Sequence, residues 1–460
     1  MKFVNVLFVV LLYCTHLSAQ VTLPNNLYFT HIGVEDGLCQ NTVCCILQDH
    51  LGFIWLGTKD GLTRYDGYRF RVFKHDAADP MSIGNNFIRV LYEDADGLIW
   101  IGTNVGVYIY NPETENFRKF DVATERGDVI SREVSSIKCD SSGDLWIGVN
   151  WQGVFRYDRR DESLELYEPV PGDTTSLSSV HVWDLCFDGD GNLWVGSQNG
   201  GLDRYDRETD RFVRHRLKGL SDVSRIVLDK QNQLLLGTMK DGLFSFNPYM
   251  GTCQPLLLDS GHKDLFVRAI FVRNSREVVV GTENGIYIYD CVTRKTRHVN
   301  QELGNPYSLS CKAVYSIYCD KEGAWWIGTY FGGVNYLPPS SSLIFDKFYP
   351  IGHSDRLSGK AVREFVRDES GIIWIGTEDQ GLNRFDPVSG KFTHYNSRNS
   401  GLSCDNVHGL CVDGDRLYIG TFFGGFNIMD LKTNEIVALG SQMLPDDSVF
   451  SIFRDHDGRI

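Results

Sequence analysis

The sequence predicts an all-β protein: a β-propeller of four-stranded antiparallel blades, with one complete seven-bladed ring and the start of a second. Two observations predict it. A Trp-x-Gly strand or a relative of it recurs along the chain, with anchor glycines at Gly57, Gly102, Gly148, Gly196, Gly237, Gly281, Gly328, Gly376 and Gly420, spaced 41 to 48 residues apart. Each unit also holds four short apolar-rich runs divided by turn residues. A period of about 40–50 residues with four strands per unit is the signature of a propeller blade.

The elements follow in order from the N-terminus. Met1-Lys2 opens with a positive charge, and Phe3 to Tyr13 is an apolar run too short to span a bilayer. Leu17-Ser18-Ala19 then offers a small residue for cleavage. This is the pattern of an export signal over residues 1–19.

The second unit shows how a blade is written. Asn86 to Tyr92 is an apolar-rich strand, and Asp94-Ala95-Asp96-Gly97 is a tight turn. There Asp bonds its own backbone and Gly takes positive φ. Leu98 to Gly102 is the second strand, Val107 to Tyr110 the third and Asn116 to Phe120 the fourth. One blade cannot bury both faces, so blades stack around an axis. The anchor tryptophans Trp55, Trp100, Trp146, Trp194, Trp326 and Trp374 are expected to fill the layers between blades. A side chain at an anchor glycine is expected to crowd the next sheet. The units around Gly237 and Gly281 lack the Trp.

Several function classes are set aside on composition. The 460 residues are 42% hydrophobic and 23% charged, which is globular. A net charge of −14 argues against a nucleic-acid surface, which needs clustered Lys and Arg. The cysteines show no CxxC pair or zinc-ligand spacing, so no metal and no cofactor is expected, and most read as small buried hydrophobes. Cys44 and Cys45 are adjacent on a strand and point to opposite faces. Asp188-Gly189-Asp190-Gly191-Asn192 resembles the start of a calcium loop, but the twelfth position is Asn199 rather than Glu. The same turn recurs in other units, so a turn is the expectation.

The stretch from Gly33 to Phe70 closely resembles the opening of the two-component regulator propeller proteins. Asp190–Asp206, Ser370–Asp386 and the lead-in Thr175–Asp188 keep the same pattern. The resemblance implies the periplasmic sensor of a hybrid two-component system, anchored in the inner membrane when intact. Such a sensor precedes a histidine kinase, a phosphorelay receiver and a DNA-binding domain, and many members sense glycan-derived oligosaccharides and regulate carbohydrate-utilisation genes. Partners implied are such an oligosaccharide or another small extracytoplasmic ligand, the downstream kinase modules, and a homodimer as a further option. No nucleic acid is expected at this region, and the chain itself is expected to be no enzyme.

The ring is expected to close at its seventh unit. Pro338-Pro339 cannot sit inside a ladder, and Leu343–Asp368 echoes Asn26–Asp49. Leu27–His31 is therefore expected to supply the outer strand of the seventh blade, which removes an open edge. Residues 20–342 form the first propeller in this reading, and 343–460 the first blades of an incomplete second. A single ring of nine or ten blades is the competing reading.

The turn after strand two and the segment leading into strand one belong to one mouth of the ring, a common place for ligands. The candidates there are Trp151, Gln152, Gln198, Asn199, Tyr330, Phe331, Phe422 and Phe423 from the turns. Arg132, His181, Arg363 and His408 come from the lead-in segments. Sugars stack on aromatic rings while amides and Arg fix their hydroxyls. Two other functions remain open at this stage. One is a secreted propeller lyase or hydrolase acting on a polysaccharide or lactone, with His181 or His408 as base. The other is a protein-binding scaffold.

Overall fold

Among the described residues of the computed structural model, nine four-stranded antiparallel sheets account for the strands. The structure describes residues 23, 26–217, 220–257, 265–339, 347–349, 356–440 and 446–460. The expected export signal and the expected boundary at 342–343 lie outside the described residues. Eight of these sheets run as a meander, inner strand to outer strand, as in Ile88–Glu93, Ile99–Thr103, Gly106–Asn111 and Asn116–Lys119.

The chain divides into two compact units. The first comprises Met1–Gln301 with Tyr307–Ile344, and the second Glu302–Pro306 with Phe345–Ile460. In the first unit the inner strands of seven sheets touch in a closed circle. The inner strand of the seventh sheet, Val314–Cys319, lies beside that of the first, Val43–Gln48. The seventh sheet takes its outer strand from the N-terminal end of the described chain: Thr30–Ile32 pairs antiparallel with Val334–Leu337, Thr30 opposite Tyr336 and Ile32 opposite Val334. The pairing begins a little later than Leu27, because the chain before it serves as a hydrophobic plug. Phe29, 1% exposed, packs with Val279, Leu309 and Trp325.

The anchor tryptophans lie between sheets. Trp100 packs with Ile147, Val149 and Phe155 of the following sheet, and Trp55 with Ile101 and Tyr110. Trp326 of the seventh sheet packs with Ile54 and Leu56 of the first, so the same layer also seals the ring. In the sheets without the Trp, Leu235 and Val279 fill the equivalent layer, each nearly or fully buried. The anchor glycines are close approaches. A Cβ built on Gly102 would lie 2.6 Å from Val134 Cγ1 of the next sheet. The Asp188 turn is a turn: Asp188 Oδ1 accepts from the N–H groups of Asp190 and Asn192, and Oδ2 from the Trp194 indole.

In the second unit two sheets pack together, with inner strands Val362–Arg367 and Val407–Asp413. Trp374 repeats the anchor role there, against Leu417 and Ile419.

Candidate ligand-binding site

In six of the seven blades of the first unit the inner strand opens with a buried Val or Ile, and a bulge follows at once. The register shifts between Val43 and Cys45, Ile88 and Val90, Val134 and Ser136, and Val182 and Asp184. It shifts again between Val267 and Ala269 and between Val314 and Ser316. A bulge leaves one residue out of the ladder and re-aims its side chain. The residues so released in the first unit are Cys44, Arg89, Ser135, Trp183, Arg268 and Tyr315. All six line one cavity of about 140 Å³, and Arg225 of the fifth sheet joins them without a bulge. The seven inner strands thus each contribute a side chain to it.

The cavity belongs to the mouth carrying the strand-two turns, since Lys59, Asn150 and the lead-in residue Glu133 also line it. Its charge contrasts with the acidic chain. Lys59, Arg89, Arg225 and Arg268 face one carboxylate, Glu133. Arg89 pairs with Glu133 at 3.2 Å, and Arg268 Nε donates to Glu283 at 2.6 Å. Arg225 spends its Nε on the Arg268 carbonyl at 2.7 Å and makes no ion pair among the described residues. Aromatic faces hold the cations in place: Arg89 lies 4.0 Å from the Phe87 ring centre, Arg268 3.9 Å from Phe266, and Lys59 4.3 Å from Tyr330. Such stacking fixes a long cationic side chain without neutralising it. Burial pushes the Cys44 thiol up to about 11, against the opposing pull of the four cations, so it stays a thiol at neutral pH.

The residues singled out from sequence fall into both units, eight in the first and four in the second. Trp151 is exposed at φ 71 and meets His181 edge-on at 4.1 Å. The His181 Nδ1 is 3.2 Å from Asn150 Oδ1. Gln152 acts as a brace: its Oε1 accepts from the N–H groups of Ser131 and Arg132, and its Nε2 donates to the Val129 carbonyl. Arg132 is exposed. Gln198 is half-buried, with its N–H on the His181 carbonyl, and exposed Asn199 donates its N–H to Asp222. Tyr330 stands beside the cavity, 5.2 Å from Tyr315 and beneath Lys59, while Phe331 packs on it and is exposed.

In the second unit Arg363 and His408 occupy the same bulge position as the cavity residues of the first. Arg363 pairs with Glu378 at 2.6 Å. His408 lies between Phe422 at 5.6 Å and Phe450 at 5.4 Å, and exposed Phe423 leans on Phe422.

None of the residues singled out from sequence lines this cavity, and Lys59, Arg89, Trp183, Arg225, Arg268 and Tyr315, which do, were not among them. A signal for most of them was present: in six of the seven inner strands of the first unit the lining residue directly follows a Val or Ile that is fully buried. Among the described residues no group of three or more His, Cys, Asp and Glu is placed to hold a metal ion, and no helix is long and apolar enough to cross a membrane.

The sequence model described as "Two component regulator propeller" matches residues 37–60, 82–105, 176–199 and 308–331, the anchor strands of four blades with their lead-ins. Over 59 residues the chain is 39% identical to Histidine kinase P4 of Formosa agariphila, a match spanning 13% of this chain and 4% of that relative. The fold is similar to the extracellular domain of a hybrid two component system of B. thetaiotaomicron, with TM-score 0.69 and 23% identity over 94% of this chain and 69% of that one. It is also similar to virginiamycin B lyase from Staphylococcus aureus, with TM-score 0.51 and 12% identity over 68% of this chain and 99% of that one. At these identities both structures share the fold with the chain. The four matched segments coincide with blades built on one plan, and these four carry the two component regulator propeller repeat.

Proposed function

We propose that the chain is the periplasmic ligand-sensing region of a hybrid two-component signalling protein. It binds a glycan-derived oligosaccharide and, through downstream histidine kinase modules, controls genes for carbohydrate use. Residues 20–342 are the first propeller in this reading, and 343–460 open a second. The observation that carries the proposal is the cavity ringed by side chains from all seven inner strands, where Trp183 and Tyr315 supply rings and Asn150 an amide. Rings and amides in a concave site suit a sugar.

Binding signals only if the ligand favours one conformational state over another, because equal affinity for both shifts nothing. The test is calorimetric titration of the protein with a panel of defined oligosaccharides, with product analysis of the same mixtures. Saturable binding with the sugar recovered intact is expected. Turnover of the sugar, or no binding across the panel, would overturn the reading.

A further inference from the structure

Resting on that sensor reading, we propose that the cavity of the first unit receives the oxyanion of an acidic sugar, a carboxylate or a sulfate. The charge of the lining points to this chemistry. The chain carries a net charge of −14, yet four cations and one carboxylate line this cavity. Two of the four cations, Lys59 and Arg225, have no acidic partner among the described residues. Like charges gathered in a concave, partly desolvated place repel one another, and an anion relieves that repulsion. Trp183 lines the same cavity and offers a ring there.

The arrangement is also preorganised. Phe87, Phe266 and Tyr330 hold the cationic side chains by their faces, so little rotamer freedom remains to be lost on binding. At about 140 Å³ the space fits a compact charged group and part of its ring, with the rest of an oligosaccharide extending toward Tyr330 and Phe331. A neutral sugar would leave Lys59 and Arg225 desolvated against hydroxyls alone, which is the weaker pairing.

Calorimetry on the full chain tests this with two matched pairs: digalacturonate against its methyl ester, and galactose 6-sulfate against galactose. At least one anionic member is expected to bind on the order of tenfold or more tighter than its neutral match, the scale of one charge-assisted hydrogen bond. The arm that binds identifies carboxylate or sulfate as the source. Lys59→Gln is expected to weaken that binding by about tenfold on the same scale, and Arg225→Gln by at least as much. Arg225 also donates to backbone carbonyls, so Lys59, which serves no such bracing role, carries the decisive variant. A neutral glycan that binds while both acidic sugars fail would overturn this inference and leave the sensor reading standing. Failure of every glycan would overturn both. Equal binding within each pair, or acidic binding indifferent to Lys59→Gln, would also overturn it.

Discussion

The indole Nε1 of Trp100 donates a hydrogen bond of 2.8 Å to Asp94 Oδ2, six residues back across the turn joining the first two strands. The other oxygen of Asp94 accepts from the N–H groups of Asp96 and Leu98. One carboxylate thereby folds the turn and satisfies the only polar atom of the layer-filling ring. The pair recurs as Asp49–Trp55, Asp188–Trp194, Asp320–Trp326 and Asp368–Trp374, each at 2.8 Å, and as Asp140–Trp146 at 3.2 Å. Where the Trp is absent the requirement relaxes. Asp229 accepts from the N–H groups of Gln231 and Gln233, while in the sixth sheet Arg273 stands at the acid's position and the next residue, Asn274, takes the turn N–H groups of Arg276 and Glu277.

Asp94→Ala is therefore expected to cost about 2–4 kcal/mol, because it strands a buried indole donor as well as two backbone donors. Arg159, the other partner of Asp94, retains Asp96. Asp229→Ala removes a turn bond set but no indole partner, so about half that loss is expected. Urea unfolding of both variants checks this. Equal losses would show that the indole bond contributes nothing beyond the turn.

Asp203 predicts a pH dependence. It is fully buried and accepts from the Ser178 N–H at 2.9 Å and its hydroxyl at 2.6 Å. Asn335, Asn383 and Asn427 hold the same post in other blades, taking the N–H of Ser310, Ser358 and Ser403. Burial lifts the Asp203 carboxyl from 3.8 to about 6, the Ser178 bonds opposing it. The folded state thus binds this proton more tightly than the unfolded one. The stabilisation is fully present below pH 3.8 and is lost as pH rises through 6, on the order of 2–3 kcal/mol. Asp203→Asn is expected to raise the melting temperature at pH 7.5 and to flatten its slope between pH 4 and 6. An unchanged slope would remove Asp203 as its source.

Ring closure gives a third prediction. Phe29 sits ahead of the strand that completes the seventh sheet, buried against Val279 of the sixth and Trp325 of the seventh. Phe29→Ala is expected to cost about 3–5 kcal/mol, the range for emptying a buried Phe site. The chain ends of the ring should then open first, so limited proteolysis is expected to cut near Thr30 before any other strand. Uniform cleavage around the ring would contradict a closure seam at this point.

The blade frame was legible because its two determinants are local. Turn residues and a ring-filling Trp lie within one unit, and repetition separates them from chance. That the N-terminal stretch supplies the outer strand of the seventh blade was also legible, since Pro338-Pro339 marks where the last blade lacks a strand of its own, although the expected Leu27–His31 overlaps the observed Thr30–Ile32 at only two residues. The cavity was not. Arg89, Trp183 and Tyr315 look like ordinary strand residues in an alternating pattern, and only the bulge turns them out of the sheet. A bulge is a property of two paired strands, and on one strand its mark is a single Val or Ile just before the released residue, which stands out only once the blades are superposed. Trp151 and Phe331 drew notice as large exposed-type residues on turns, while the cations beside them were masked by an acidic average.

Glycine at the anchor and glycine in the turn answer different demands, and substitution separates them. Gly102 has no need of positive φ; it lacks room, with Val90 and Val134 at 2.5 and 2.6 Å from a built Cβ. Gly143 has open space around it but sits at φ 93. Gly102→Ala is expected to cost about 1–3 kcal/mol through overpacking between blades. Adding Val134→Ala should return part of it, giving a favourable coupling of at least about 0.5 kcal/mol in a double-mutant cycle. Gly143→Asn, which tolerates the left-handed region, is expected to cost under about 1 kcal/mol. If Val134→Ala adds its own full penalty with no coupling, close approach of neighbouring blades is not what keeps the anchor a glycine.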